Sequence, residues 1–185
     1  MGNPDPFRDD RARMLAEHLV GRGITCPRVL AAMEKVPRHQ FVAAGKQHLA
    51  YQDQALGIDC GQTISQPYIV AAMSQALELS ANHLVLEIGT GSGYQAAVLA
   101  ELAGRVITIE RHGSLHEAAA GRLAGLGYEN ITLLLGDGSQ GYPEEAPYAR
   151  IMITAAGRKV PGRSGTSWLR GACWWRRLAA RGFSS

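Results

Sequence analysis

In the run Glu87-Ile88-Gly89-Thr90-Gly91-Ser92-Gly93-Tyr94, glycines alternate with small polar residues. Glycine lets the backbone come close to a ligand, and a helix starting just after such a loop presents N–H groups that have no partner inside the helix. The spacing is Gly-x-Gly-x-Gly, whereas a pyrophosphate-binding loop holds its third glycine one place later, and position 94 is tyrosine. Glu110 follows Gly89 by 21 residues, at the end of the next apolar run. A carboxylate there accepts hydrogen bonds from the two hydroxyls of a ribose. Gly136-Asp137-Gly138 closes a third run, where an aspartate accepts from an adenine amino group. Each feature alone also reads as structure: a turn, a helix-cap glutamate, a tight turn. Together, at the ends of consecutive strands, they point to an adenosine cofactor without a pyrophosphate. The predicted cofactor residues are Glu87, Gly89, Thr90, Gly91, Gly93, Glu110, Asp137 and Gly138. Ser65, two residues before Pro67, is either the N-cap of a helix or a hydroxyl with a chemical role.

These residues need a scaffold, and the hydrophobic pattern supplies one. Short apolar runs at 84–88, 106–109, 131–135 and 151–154 read as buried strands, and 94–103 and 115–126 as the helices between them. Alternating strands and helices imply right-handed βαβ units and a parallel sheet. The predicted fold class is α/β, a Rossmann-like, doubly wound, mainly parallel sheet. Ahead of it, helices are expected at 11–20, from Pro27 to Val36, and from Pro67 to about Leu79. Residues 37–64 read as loops with short strands, and residues 1–10, with their prolines and aspartates, as a flexible leader.

Composition narrows the function classes. The 185 residues are 46% hydrophobic and 19% charged, with 22 glycines, which fits a folded domain with many turns. No run approaches the roughly 18 apolar residues of a membrane helix, and Arg8, Asp9, Asp10, Arg11 and Arg13 interrupt the N-terminus. A cytoplasmic, monomeric protein with no membrane partner is expected. Cys26, Cys60 and Cys173 form no Cys-x-x-Cys pair, and His112 and His116 share a helix face without acidic partners, so no metal site is expected. Residues 1–156 carry net −4 and residues 157–185 net +7. The basic charge is therefore confined to the tail, and no nucleic-acid partner is expected.

The glycine loop with its preceding Val85-Leu86-Glu87-Ile88 resembles the first motif of class I S-adenosylmethionine-dependent methyltransferases. The block Gly61-Gln62-Thr63-Ile64-Ser65-Gln66-Pro67-Tyr68-Ile69-Val70-Ala71, with Val36-Pro37-Arg38-His39-Gln40-Phe41-Val42 and Tyr51, resembles the protein-L-isoaspartate (D-aspartate) O-methyltransferase family over about residues 11–161. The resemblance implies methyl transfer from S-adenosyl-L-methionine to the free carboxylate of isoaspartyl residues in damaged proteins and peptides. The resulting ester collapses to a succinimide that can reopen as aspartate. It also implies an active-site role for Ser65, orienting the acceptor carboxylate, and places Thr63, Ile64 and Gln66 beside the methionine part of the cofactor. The expected division is a leader at 1–10, a substrate-side segment at 11–80, a cofactor core at 81–161 and an atypical basic tail at 162–185. Trp168, Trp174 and Trp175 stand in that tail where the family pattern continues with a Gly-Gly turn and further strands. The tail reads as the out-of-frame or truncated end of a family member, with the C-terminal strands missing. The alternative function is accordingly an inactive member that retains at most cofactor binding.

Overall fold

The computed structural model describes residues 5–155 together with the strand at 173–176. Helix α1 (Arg8–Arg13) continues into a π-helical turn over Met14–Leu19 and a 3-10 turn over Val20–Arg22, and ends at Gly23 with φ 90°. Helix α2 (Pro27–Lys35) begins on proline, whose fixed φ suits the first helical position and whose missing N–H costs nothing there. Two 3-10 turns then lead to a short antiparallel ribbon, β1 (Leu56–Gly57) and β2 (Thr63–Ile64). Helix α3 (Pro67–Ala76) also begins on proline, and it stops short of Leu79 because Glu78 takes a left-handed φ of 47°.

The rest is the alternating unit: β3 (Leu84–Ile88), α4 (Tyr94–Leu102), β4 (Arg105–Glu110), α5 (Gly113–Gly125), β5 (Ile131–Leu135) and β6 (Arg150–Ile153). A last strand, β7 (Cys173–Arg176), pairs with β6, and the sheet order is β5-β4-β3-β6-β7 with every pair parallel. The chain grows outward from β3 in both directions. Such a reversal leaves a crevice at the carboxyl end of the central strand, the place where sheets of this kind bind ligands.

Successive strand residues point to opposite faces. Val85, Val106 and Met152 join the larger core with α2, α3 and α4, whereas Leu86, Ile88, Ile107, Ile109, Ile151 and Ile153 form a second apolar layer with Tyr148. Helix α4 is buried along nearly its whole length, which fixes its N-terminus, and the glycine loop before it, against the sheet.

Two expectations need correction. The leader is ordered from Asp5 within the described residues: Phe7 stacks on His39 with ring centroids 4.3 Å apart, and Asp5 pairs with Arg11 at 2.9 Å. The single aromatic anchors a stretch whose polar composition suggested no fixed place. The tail also supplies a strand. Cys-Trp-Trp-Arg at 173–176 lies parallel to β6 in the register Arg150↔Cys173, so β6 is not the sheet edge. A parallel strand needs no alternation of polar and apolar residues, and aromatics favour strands, which is why periodicity missed it. The out-of-frame reading of the remaining tail residues lies outside the described residues.

Candidate functional site

A pocket of about 350 Å³ opens at the carboxyl end of β3, within the size range of small-molecule sites. Its walls come from three places: the ribbon and the start of α3 (Gly61 to Ser65, Val70), the glycine loop and first turn of α4 (Gly89 to Ser92, Tyr94, Gln95), and the strand ends at Glu110 and Thr154-Ala155. Segments separated in sequence by 15 residues or more are thus brought to one cavity by the crossovers of the fold.

The glycine loop has the backbone its composition calls for. Gly89, Gly91 and Gly93 all have positive φ, at 101°, 54° and 89°. Thr154 Oγ1 donates to the carbonyls of Ile88 and Gly89 at 3.0 and 2.5 Å, clamping the loop from beyond β6. Glu110 is held at two points, with Oε2 accepting from the Gly91 N–H and Oε1 from the His112 N–H, both at 2.9 Å. Each carboxylate oxygen has a second lone pair, so the side chain is fixed in place and still able to accept from two hydroxyls. Gln95 adds an acceptor, since its Nε2 donates to Ser74 Oγ at 3.0 Å while its buried Oε1 has no partner among the described residues.

Glu87 lies under the loop and does not line the pocket. It is fully buried; Thr108 Oγ1 donates to its Oε2 at 2.6 Å and hydrogen-bonds in turn to Thr90 Oγ1 at 2.6 Å, while Oε1 has no partner among the described residues. Burial, reinforced by the nearby Glu110, outweighs the Thr108 bond and pushes the Glu87 carboxyl up to about 8. The folded protein therefore holds this proton well above the pH at which the unfolded chain releases it. The resulting stability is complete below about pH 4.5 and is lost as pH rises toward 8. Urea titrations of Glu87→Gln between pH 5 and 8 should show a flatter pH profile than those of the wild type, and parallel profiles would show that Glu87 is ionised in the fold.

Ser65 is half-buried on the pocket wall. It is not the helix cap: the N-cap of α3 is Gln66, and the Ser65 hydroxyl makes no hydrogen bond with the described residues. Thr63 and Ile64 line the pocket beside it. Gln66 does not, because its Nε2 turns to Asp53 Oδ2 at 3.5 Å. Three further expected residues, Asp137, Gly138 and Gly93, fall outside the lining. Asp137 is exposed and caps its own 3-10 turn, accepting from the Ser139 N–H at 2.9 Å, and Gly138 is packed so closely that an added Cβ would meet Ile88 Cγ2 at 2.5 Å. Gly93 caps α4, facing Ala119 and Leu123. Thr108, Thr154 and Gln95 were not singled out by the sequence. Only Thr108 left a signal there, as a polar residue in the middle of an apolar strand.

A family model described as protein-L-isoaspartate(D-aspartate) O-methyltransferase matches residues 10–167, spanning all the segments that line this pocket. The chain belongs to that family. A protein-L-isoaspartate O-methyltransferase of Synechococcus sp. is 55% identical over 157 residues, covering 85% of this chain and 64% of the relative. A solved structure of a protein-L-isoaspartate O-methyltransferase superimposes with a TM-score of 0.76 at 28% identity, over 88% of this chain and 52% of that one. A Plasmodium falciparum structure described as a β-aspartate methyltransferase, in complex with S-adenosyl-L-homocysteine, shares the fold with a TM-score of 0.69 at 24% identity, over 80% of this chain and 75% of that one. The chain thus spans less than two thirds of the length of the first two of these family members. The family fold and the class I methyltransferase topology are those described above.

Proposed function

We propose that this chain transfers a methyl group from S-adenosyl-L-methionine to the free carboxylate of L-isoaspartyl and D-aspartyl residues in damaged proteins and peptides, which starts their repair. The observation that carries the reading is the placement of the unpartnered Ser65 hydroxyl in the same pocket as the glycine loop and the fixed Glu110 carboxylate. When bound, the cofactor supplies a methyl group already activated on a sulfonium. The donor set fits it: Glu110 has free lone pairs for the ribose hydroxyls, Gly89 and Gly91 admit close backbone contact, and the unpartnered Gln95 Oε1 can accept from an ammonium.

The acceptor carboxylate is ionised at neutral pH, so no general base is required. Among the described residues the pocket's ionisable side chains are Glu110, held by two N–H donors, and Tyr94, which burial pushes up to about 12, and neither is placed to act as a base. The task left to the chain is to orient one carboxylate oxygen and to exclude water around it. Ser65 donates one hydrogen bond to the acceptor, and Thr63 and Ile64 cover the transferring group. The inactive alternative is not favoured, since among the described residues the glycine loop, Glu110 and Ser65 already line one pocket. In this reading the chain acts as a cytoplasmic monomer on peptides, without nucleic acid or membrane. Among the described residues no helix is long and apolar enough to cross a membrane.

Incubating the purified chain with S-adenosyl-L-methionine and an isoaspartyl peptide, and measuring S-adenosylhomocysteine release, tests the reading. Turnover is expected with the isoaspartyl peptide and none with its α-aspartyl isomer. Equal turnover of both, or none of either, would refute it. In the same chain Glu110→Ala should weaken S-adenosylhomocysteine binding by about 1.5–3 kcal/mol, the range for a hydrogen bond to a charged group. Unchanged affinity by calorimetry would remove Glu110 from the site.

A further inference from the structure

Helix α3 starts directly after the Ser65-Gln66 step, and its first turn poses an accounting question. Pro67 has no N–H, and the first helical bond is from the Val70 N–H to the Gln66 carbonyl at 3.3 Å. The N–H of Tyr68 has no acceptor within the helix. Gln66 occupies the N-cap position but provides no side-chain cap. The acceptor comes from elsewhere: Asp53 Oδ1 takes the Tyr68 N–H at 3.2 Å. The other oxygen, Oδ2, accepts from Gln66 Nε2 at 3.5 Å and forms an ion pair with Arg22. The Arg22 guanidinium in turn lies over the Tyr68 ring, 3.7 Å from its centroid. One carboxylate, with 16% of its side-chain surface exposed, thereby fixes the backbone of Tyr68, the side chain of Gln66 and the cation packed on Tyr68.

Without Asp53 the Tyr68 N–H needs another acceptor, and the Ser65 hydroxyl stands in the same segment as one that could take it. Ser65 precedes Tyr68 by three residues, the spacing at which a serine caps a helix. Accepting there leaves the O–H free to donate, but it draws the oxygen toward the helix N-terminus and out of the position from which it faces the pocket. We infer that Asp53 is a positioning residue for methyl transfer: by capping α3 from outside, it keeps the Ser65 hydroxyl available to the acceptor carboxylate. The inference rests on the proposed function for its kinetic arm, while its geometric arm is independent of activity.

The kinetic test uses the full chain, with Asp53→Ala and Asp53→Asn, alone and in a Ser65→Ala background. Asparagine retains an oxygen acceptor for the Tyr68 N–H. Asp53→Ala should lower kcat on an isoaspartyl peptide on the order of tenfold, the scale of a small misplacement at a reacting centre. S-adenosylhomocysteine affinity should stay within about twofold, and Asp53→Asn should recover most of the rate. In the Ser65→Ala background Asp53→Ala should cost almost nothing further in kcat, since two residues acting through one contact are not additive. Full additivity, or a matching loss of cofactor affinity, would overturn the assignment and leave a stabilising contact only. Hydrogen exchange of the segment 63–70 gives the geometric arm. Asp53→Ala should speed exchange there, with Asp53→Asn close to wild type and 84–110 unchanged in both. Equal protection of 63–70 in all three proteins would overturn the inference whether or not the chain methylates peptides. Absent turnover in the wild type, with the exchange response as expected, would refute the proposed function alone.

Discussion

Ser65→Ala should lower methyl transfer to an isoaspartyl peptide by about ten- to a hundredfold, the equivalent of one hydrogen bond to a charged group, while cofactor binding changes little. Ser65 lies in the pocket, and its hydroxyl is not engaged in capping α3, because Asp53 satisfies the helix instead. A plain cap would behave otherwise: its removal costs stability of the order of 1 kcal/mol and would reduce rate and binding together. The loss for Ser65→Ala should appear mainly in kcat, since a contact that tightens as the methyl moves acts on the transition state more than on either ground state. Steady-state kinetics with the peptide, set beside calorimetry with S-adenosylhomocysteine, separates the two. A fall in KM affinity alone, at unchanged kcat, would make Ser65 a binding contact with no part in alignment.

The strands were legible because they are short, mostly apolar runs, largely buried in β3, β4 and β6: β3 and β5 occupy the residues expected, β4 extends one residue further at each end, and β6 lies one residue earlier. The ligand loop was legible for a related reason, since the backbone at Gly89, Gly91 and Gly93 adopts a conformation that only glycine enters freely. Legibility failed where a residue's partner is distant or where a local bond competes. Asp53 reaches Tyr68 across a ribbon that no periodicity announces. Asp137 sits at the strand end where an adenine acceptor was expected, but its carboxylate turns to the Ser139 N–H two residues on, the local bond aspartate favours in turns. Gln66 belongs to the specific block yet serves Asp53 and not the pocket. A motif identifies the segment that forms a wall, and the packing behind the wall decides which of its side chains face inward.

The other large effect is expected at Gly89. At φ 101° an L side chain is strained, and a Cβ built on Gly89 would stand 2.8 Å from the Ala155 nitrogen and 2.9 Å from both Ala155 Cβ and Thr154 Oγ1. Two of these neighbours belong to backbone or to an atom fixed on it, and the third is the hydroxyl that clamps the loop through the Ile88 and Gly89 carbonyls. None can yield without moving the end of β6 away from β3. Gly89→Ala should therefore destabilise the protein by about 2–4 kcal/mol, combining backbone strain with overpacking. It should also abolish measurable S-adenosylhomocysteine binding, because the displaced residues line the pocket. Gly121→Ala is the matched control: the same methyl is added within α5, where it meets nothing within 4 Å and no positive φ is required. There alanine should stabilise by about 0.5–1 kcal/mol through helix propensity. Thermal unfolding of the two variants beside the wild type should thus move in opposite directions. A Gly89→Ala protein that melts with the wild type and still binds S-adenosylhomocysteine would show that the loop can adopt another backbone, and that its glycines are not what shapes the site.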